Sequence, residues 1–166
     1  FENNPDVYIL EFASNITIGD AAFKNCDNLQ VINMHGVGGS IGAEAFYGCE
    51  RLQNVYASEI ATVGDRAFAD CTNLMVTQIE ACKSIGSRAF AGCNNLQILA
   101  LSVTVSIGSE ALSGCHSLEV ELPDTVTSIG SKALVDVANK TLFIPKNADV
   151  ASDAIDAGVR LYTVSD

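Results

Sequence analysis

Five of the six cysteines recur at a nearly constant interval: Cys26, Cys49, Cys71, Cys93 and Cys115, in steps of 23, 22, 22 and 22 residues. Thiols serve as nucleophiles, metal ligands and disulfide partners, and each role makes a geometric demand. A zinc site needs ligands that converge on one point, with closely spaced pairs such as Cys-x-x-Cys, and this interval supplies none. A disulfide needs facing Cβ atoms about 3.5–4.5 Å apart. Stacked parallel rungs lie ~4.8 Å apart with equivalent Cβ vectors pointing the same way, which disfavours bridging. A catalytic thiol needs an activating base. His116 directly follows Cys115, but adjacent residues on a turn point apart. The ladder therefore reads as free structural thiols, each small, apolar and content without a partner. Cys82 lies off the ladder, in a column with Ile60, Thr104 and Val126. It is expected half-buried in a second strand, and it is the first candidate for a reactive thiol.

Other chemistry is sparse. His35 and His116 fall in different columns of the repeat and read as exposed loop residues. The carboxylates are many but dispersed. Glu119 and Glu121 alternate along one strand, followed by Asp124, without the spacing of a calcium loop. Two Asn-x-Thr triplets begin at Asn15 and Asn139, and they matter only in a protein secreted by a eukaryote. No phosphate loop and no nucleophile–base–orienter set can be assembled. No catalytic residue, metal ligand or cofactor site is therefore expected. The net charge of -11 argues against a nucleic-acid partner, because binding that backbone takes clustered Lys and Arg. No apolar run approaches the ~18–20 residues of a membrane span. At 48% hydrophobic and 17% charged, the chain can still bury a core.

The elements that position the thiols follow from the same period. Ile or Val followed by Gly occurs at Ile18, Ile41, Val63, Ile85, Ile107 and Ile129. Five residues later stand Phe23, Phe46, Phe68, Phe90, Leu112 and Leu134. The ladder position comes next, with Val137 in place of the sixth Cys, and Leu29, Leu52, Leu74, Leu96 and Leu118 follow three residues on. This defines a repeat of 22–23 residues. The constant Gly implies a special backbone angle or an approach too close for a Cβ. The residue after it is Asp20, Ala43, Asp65, Ser87, Ser109 or Ser131, mostly helix N-capping types. The residue before the Cys position is Asn25, Gly48, Asp70, Gly92, Gly114 or Asp136, types that tolerate the left-handed conformation closing a helix. One short capped helical turn per repeat is predicted between them. A Leu-x-x-Φ-x-Φ strand follows, with one buried side.

The phase runs back to Phe1 in mid-repeat, so a longer parent is expected. Residues 118–126 and 141–150 still align, with Pro123 and Pro145 in register. The repeat array is assigned to 1–148. A C-terminal cap is assigned to 149–166, with a helix over 149–158 and a closing strand over 159–164.

The motif Ile-Gly-x-x-Ala-Phe-x-Gly-Cys-x-x-Leu, whole at 41–52 and 85–96, resembles the BspA-like leucine-rich repeat. Leu112, Leu134 and Val137 depart from it toward the C-terminus. The resemblance implies an α/β repeat solenoid, a right-handed coil of about seven repeats. Its parallel sheet would line the concave face, with short helical turns or short strands on the convex side. It also implies a cell-surface or secreted protein linked to adhesion and to binding host proteins or other cells, and no catalytic residues. The expected contact surface is the outward side of the sheet. Its columns are Val31, Asn54, Val76 and Ile98; Asn33, Tyr56, Gln78, Ala100 and, as a further candidate, Glu121; and His35, Ser58, Glu80 and Ser102. Exposed apolar groups among amides suit a protein partner, although the same residues also simply favour strands. The expected function is a non-enzymatic binding or adhesion module, and the alternative is a spacer or stalk presenting another domain.

Overall fold

The computed structural model describes residues 1–34, 36 and 38–164. The chain winds through parallel strands that alternate between two sheets. The first sheet stacks β1 (Ile9–Glu11), β3 (Val31–Asn33), β5 (Asn54–Tyr56), β7 (Val76–Gln78) and β9 (Ile98–Ala100) in that order. The second holds β2 (Ile16–Ile18), β4 (Gly39–Ile41), β6 (Ile60–Val63), β8 (Ser84–Ile85), β10 (Ser106–Ile107), β11 (Ser128–Ile129) and β13 (Asp149–Val150), one from each of seven coils. Near the C-terminus β12 (Thr141–Pro145) pairs with β14 (Arg160–Val164) alone.

Identical letters stack between the sheets. Phe1, Phe23, Phe46, Phe68 and Phe90 form a column of rings with centroids 5.2–5.4 Å apart and planes within 9°. Phe46, Phe68 and Phe90 are fully buried, as are Leu112 and Leu134, which lack the ring, whereas Phe1 is 75% exposed. The Leu column from Leu29 to Leu118 and the Cys column from Cys26 to Cys115 are sealed from water. Truncating one of the central Phe side chains would cost about 3–5 kcal/mol by core-cavity precedent.

The expectation of an α/β class with helical turns is corrected: no helix forms among the described residues. The reason is a second left-handed residue in each turn. Besides the predicted one before the Cys position, Ala21, Glu44, Arg66, Arg88, Glu110 and Lys132 have φ of 52–57°. The backbone donors then alternate in direction. Ala22, Lys24 and Cys26 donate within their own turn, to Gly19, Ala21 and Phe23. Ala21, Phe23 and Asn25 donate across to Ala43, Ala45 and Tyr47 of the following coil, each at 2.8 Å. A helix would need all of them to bond backward within one segment. The predicted N-caps serve the neighbour too. Asp20 Oδ1 accepts from the Ala43 N–H at 2.8 Å, and Asp65 Oδ1 from Ser87 at 2.7 Å.

The helix expected over 149–158 is likewise absent. That stretch winds as a further coil. β13 pairs with β11, the Ala151 N–H reaches Ile129 O at 2.9 Å, and Ile155 bridges Leu134. The strand expected over 159–164 forms as β14.

Candidate functional site

The thiols come first because they carry the most reactive chemistry. All six cysteines are free and buried. Cys49, Cys71, Cys93 and Cys115 donate through Sγ to the carbonyls of Phe23, Phe46, Phe68 and Phe90 at 3.1–3.2 Å, each reaching into the preceding coil. Burial pushes the Cys49 and Cys115 thiols up to about 12, and it holds Cys71 and Cys93 well above the ordinary thiol range. A thiol held protonated is neither a nucleophile nor a metal ligand. Cys82 corrects the half-buried, reactive expectation. It sits in the turn before β8, wholly inaccessible, with its thiol donating to Ser84 O at 3.2 Å and pushed by burial up to about 11. Its predicted column is right, since Thr104 Oγ1 donates to Cys82 O at 2.8 Å.

The remaining polar candidates do not converge. His116 is exposed and bonds Asp136 O through Nδ1 at 3.2 Å. His35 lies outside the described residues. Among the described residues no three His, Cys, Asp or Glu side chains are placed to hold a metal ion. The Asn of each Asn-x-Thr triplet bonds backbone: Asn15 accepts from the Gly38 N–H at 2.9 Å, and Asn139 engages Val120. No helix of the described residues is long and apolar enough to cross a membrane.

The face of the first sheet is continuous. Val31, Asn54, Val76 and Ile98 are direct partners across β3, β5, β7 and β9, as are Asn33, Tyr56, Gln78 and Ala100. β1 adds Ile9 and Glu11 to the two columns, one coil further than the sequence columns were drawn. The intervening Ile32, Val55, Thr77 and Leu99 point into the core. Ile98 is 53% exposed, and the other seven in these two predicted columns are half-buried. Glu80, in the third column, has Oε2 shielded from water with no hydrogen-bond partner.

The face stops where the sequence alignment did not. Residues 118–126 form no strand, so Glu121 has no partner in the Ala100 column. Leu118 and Val120 are both buried, two residues apart, whereas Leu96 and Leu99 are buried three apart. One residue fewer flips the strand phase and breaks the ladder. The Asn139 side chain substitutes for a strand on one side. Its Oδ1 accepts from the Val120 N–H at 2.7 Å, and its Nδ2 donates to Val120 O at 3.1 Å. That spacing change is legible in the sequence once the inward positions are known.

Across the turns runs a stripe of charge. Glu44 lies between Lys24 at 2.6 Å and Arg66 at 2.9 Å, and Arg88 grips Glu110 with two bonds. The Lys24 hydrogen bond holds the Glu44 carboxyl below its ordinary range, and Arg88 does the same for Glu110. Both cations of the Glu44 group also sit near the Tyr47 ring, 4.9–5.2 Å from its centroid.

Parallel coils, a stacked apolar interior and a strand-lined face define a leucine-rich-repeat β-solenoid. The sequence matches the BspA type leucine-rich repeat region in six copies, over residues 1–118 and 83–155, and the chain belongs to that family. No curated protein matches the sequence. Among solved structures the chain is similar to a leucine rich cell surface protein from Faecalibacterium prausnitzii, at 22% identity and a TM-score of 0.76. That match covers 94% of this chain and 47% of the other, so this chain spans about half its length. It is also similar to a leucine-rich repeat protein from T. pallidum, at 24% identity and a TM-score of 0.60 over 92% of this chain and 76% of that one. At these identities the likeness speaks to the fold.

Proposed function

We propose that the chain is a non-enzymatic binding module of a cell-surface or secreted protein, which engages a protein partner through the outward face of β1, β3, β5, β7 and β9. One observation carries the reading: the face residues stand in unbroken columns across five coils, from Ile9 to Ile98 and from Glu11 to Ala100. Rigid columns that mix aliphatic, aromatic and amide groups suit protein recognition, because contact area is displayed at little ordering cost. Leucine-rich repeats generally act as interaction scaffolds, and one similar structure is named a cell surface protein. The buried thiols supply no accessible nucleophile, and the reading uses no catalytic step.

The test displays the chain to purified surface-protein fractions, identifies captured protein by cross-linking, and measures it against the triple variant Tyr56→Lys, Val76→Lys, Ile98→Lys. The variant should keep its circular dichroism and lose capture at least tenfold. Unchanged affinity refutes the face. The alternative role, a spacer presenting another domain, draws on the unbroken core columns, which make the array rigid; it gains if no partner competes for this face.

A further inference from the structure

The first sheet ends at β9 although the chain coils on, and this gap has the makings of a second recognition site. In each earlier coil the residue after the column Leu donates to the coil before it. Gln30 bonds Tyr8 O, Gln53 bonds Gln30 O, Met75 bonds Gln53 O and Gln97 bonds Met75 O, at 2.8–3.0 Å. Glu119, next in the series, donates to no backbone carbonyl among the described residues, and residues 119–122 join no sheet. The far side of β9 is therefore an open strand edge inside the array. Between it and the next coil lies a groove of about 340 Å³ lined by Gln97, Ile98, Ala100, Ser102, Glu119 and Glu121.

We propose that this gap accepts an extended, lysine- or arginine-bearing polypeptide segment, added as the missing rung beside β9. Three features agree on that occupant. The open edge of β9 offers main-chain bonds to a strand of any sequence, with side-chain contacts setting selectivity. Glu119 and Glu121 are exposed, form no ion pair among the described residues, and flank the buried Val120 in the alternation of an extended chain. Side chains two apart on such a chain share a face and lie roughly 6.5–7 Å apart. A segment with cations at every second residue therefore sets them opposite both carboxylates as cross-strand pairs. Its intervening residues would turn toward Leu99 and Leu101, which line the groove, so they must be apolar. The net charge of -11 adds attraction at long range.

The proposal goes beyond the face reading and is tested separately. A fluorescein-labelled peptide of alternating lysine and valine is titrated with the full chain by fluorescence anisotropy. It is compared with a glutamate–valine peptide and with a lysine–valine peptide N-methylated at alternate amides. The lysine–valine peptide should saturate, and both comparison peptides should bind at least tenfold more weakly. The double variant E119Q/E121Q should lose at least tenfold. D27N/E50Q, which removes the same charge at a remote site, should stay within threefold. Tyr56→Lys, on the face but away from the gap, should also stay within threefold, so failure of the face reading leaves this result intact. Absence of saturation, equal losses in the two neutralised variants, or equal binding of the methylated peptide would each overturn the proposal.

Discussion

Gly19→Ala and Gly108→Ala make the same change in the same column of the repeat, and they should move stability in opposite directions. A Cβ at Gly108 would stand 2.6 Å from Ser87 N, 2.7 Å from Gly86 C and 3.0 Å from Gly86 O. Favourable carbon contacts lie at about 3.5–4.0 Å, so two coils would have to part by most of an ångström. All three atoms are backbone, and the Gly108 N–H is tied to Ile85 O at 2.8 Å, so no side chain can swing aside. Overpacking of this kind costs about 1–3 kcal/mol. Gly19 meets nothing within 4 Å and has no left-handed φ. Restricting its unfolded chain should stabilise by about 0.4–1 kcal/mol. For a chain of this size 1 kcal/mol moves the melting temperature by about 2–4 °C. Thermal circular dichroism should therefore show Gly108→Ala falling by several degrees and Gly19→Ala rising by one or more. Equal shifts of the same sign would refute the claim that the glycine column exists for coil-to-coil contact.

The buried thiols make a second prediction, through pH. Their folded pKa values are raised, so the stability they confer is complete below the unfolded value of about 8.5 and is lost as pH climbs toward 11–12. Each thiol ionised only in the unfolded chain contributes about 1.36 kcal/mol per pH unit. Cys49, Cys71, Cys82, Cys93 and Cys115 together give about 7 kcal/mol per unit, enough to exhaust an ordinary domain's 5–15 kcal/mol in about two units. Urea midpoints should drop steeply above about pH 9, with no thiol reacting with a disulfide reagent before unfolding; a flat profile, or reaction of the native protein, contradicts the ladder. A third prediction concerns Thr77, whose Oγ1 is buried without a partner between the inward Val55 and Leu99. Thr77→Val should raise stability by about 1–3 kcal/mol in urea titration, and a loss would mean the hydroxyl is satisfied after all.

Much of this molecule is readable one letter at a time. The face of β3, β5, β7 and β9 follows from the repeat phase, because Ile32, Val55, Thr77 and Leu99 each stand three residues after a buried column Leu. The left-handed position before each Cys is legible because only Asn, Asp or Gly occupies it. The other left-handed position is not. Glu44, Arg66, Arg88, Glu110 and Lys132 are ordinary helix formers, and nothing in their identity announces a positive φ. A turn flanked by capping types therefore reads as a helix. The interruption after β9 was masked for another reason: Leu118 and Pro123 keep the 22-residue spacing to neighbouring repeats, while the buried residue between Leu118 and Pro123 moves by one.

The amino-acid order alone determined the period, the family and which letters share a dry column, because recurrence at one interval forces equivalent residues into equivalent places. The tertiary structure alone decided that the turns are not helical, that Gly108 is crowded while Gly19 is free, and where the sheet breaks. Each of these depends on what the adjoining coil presents ~4.8 Å away, and a backbone donor takes its partner from that neighbour rather than from its own segment.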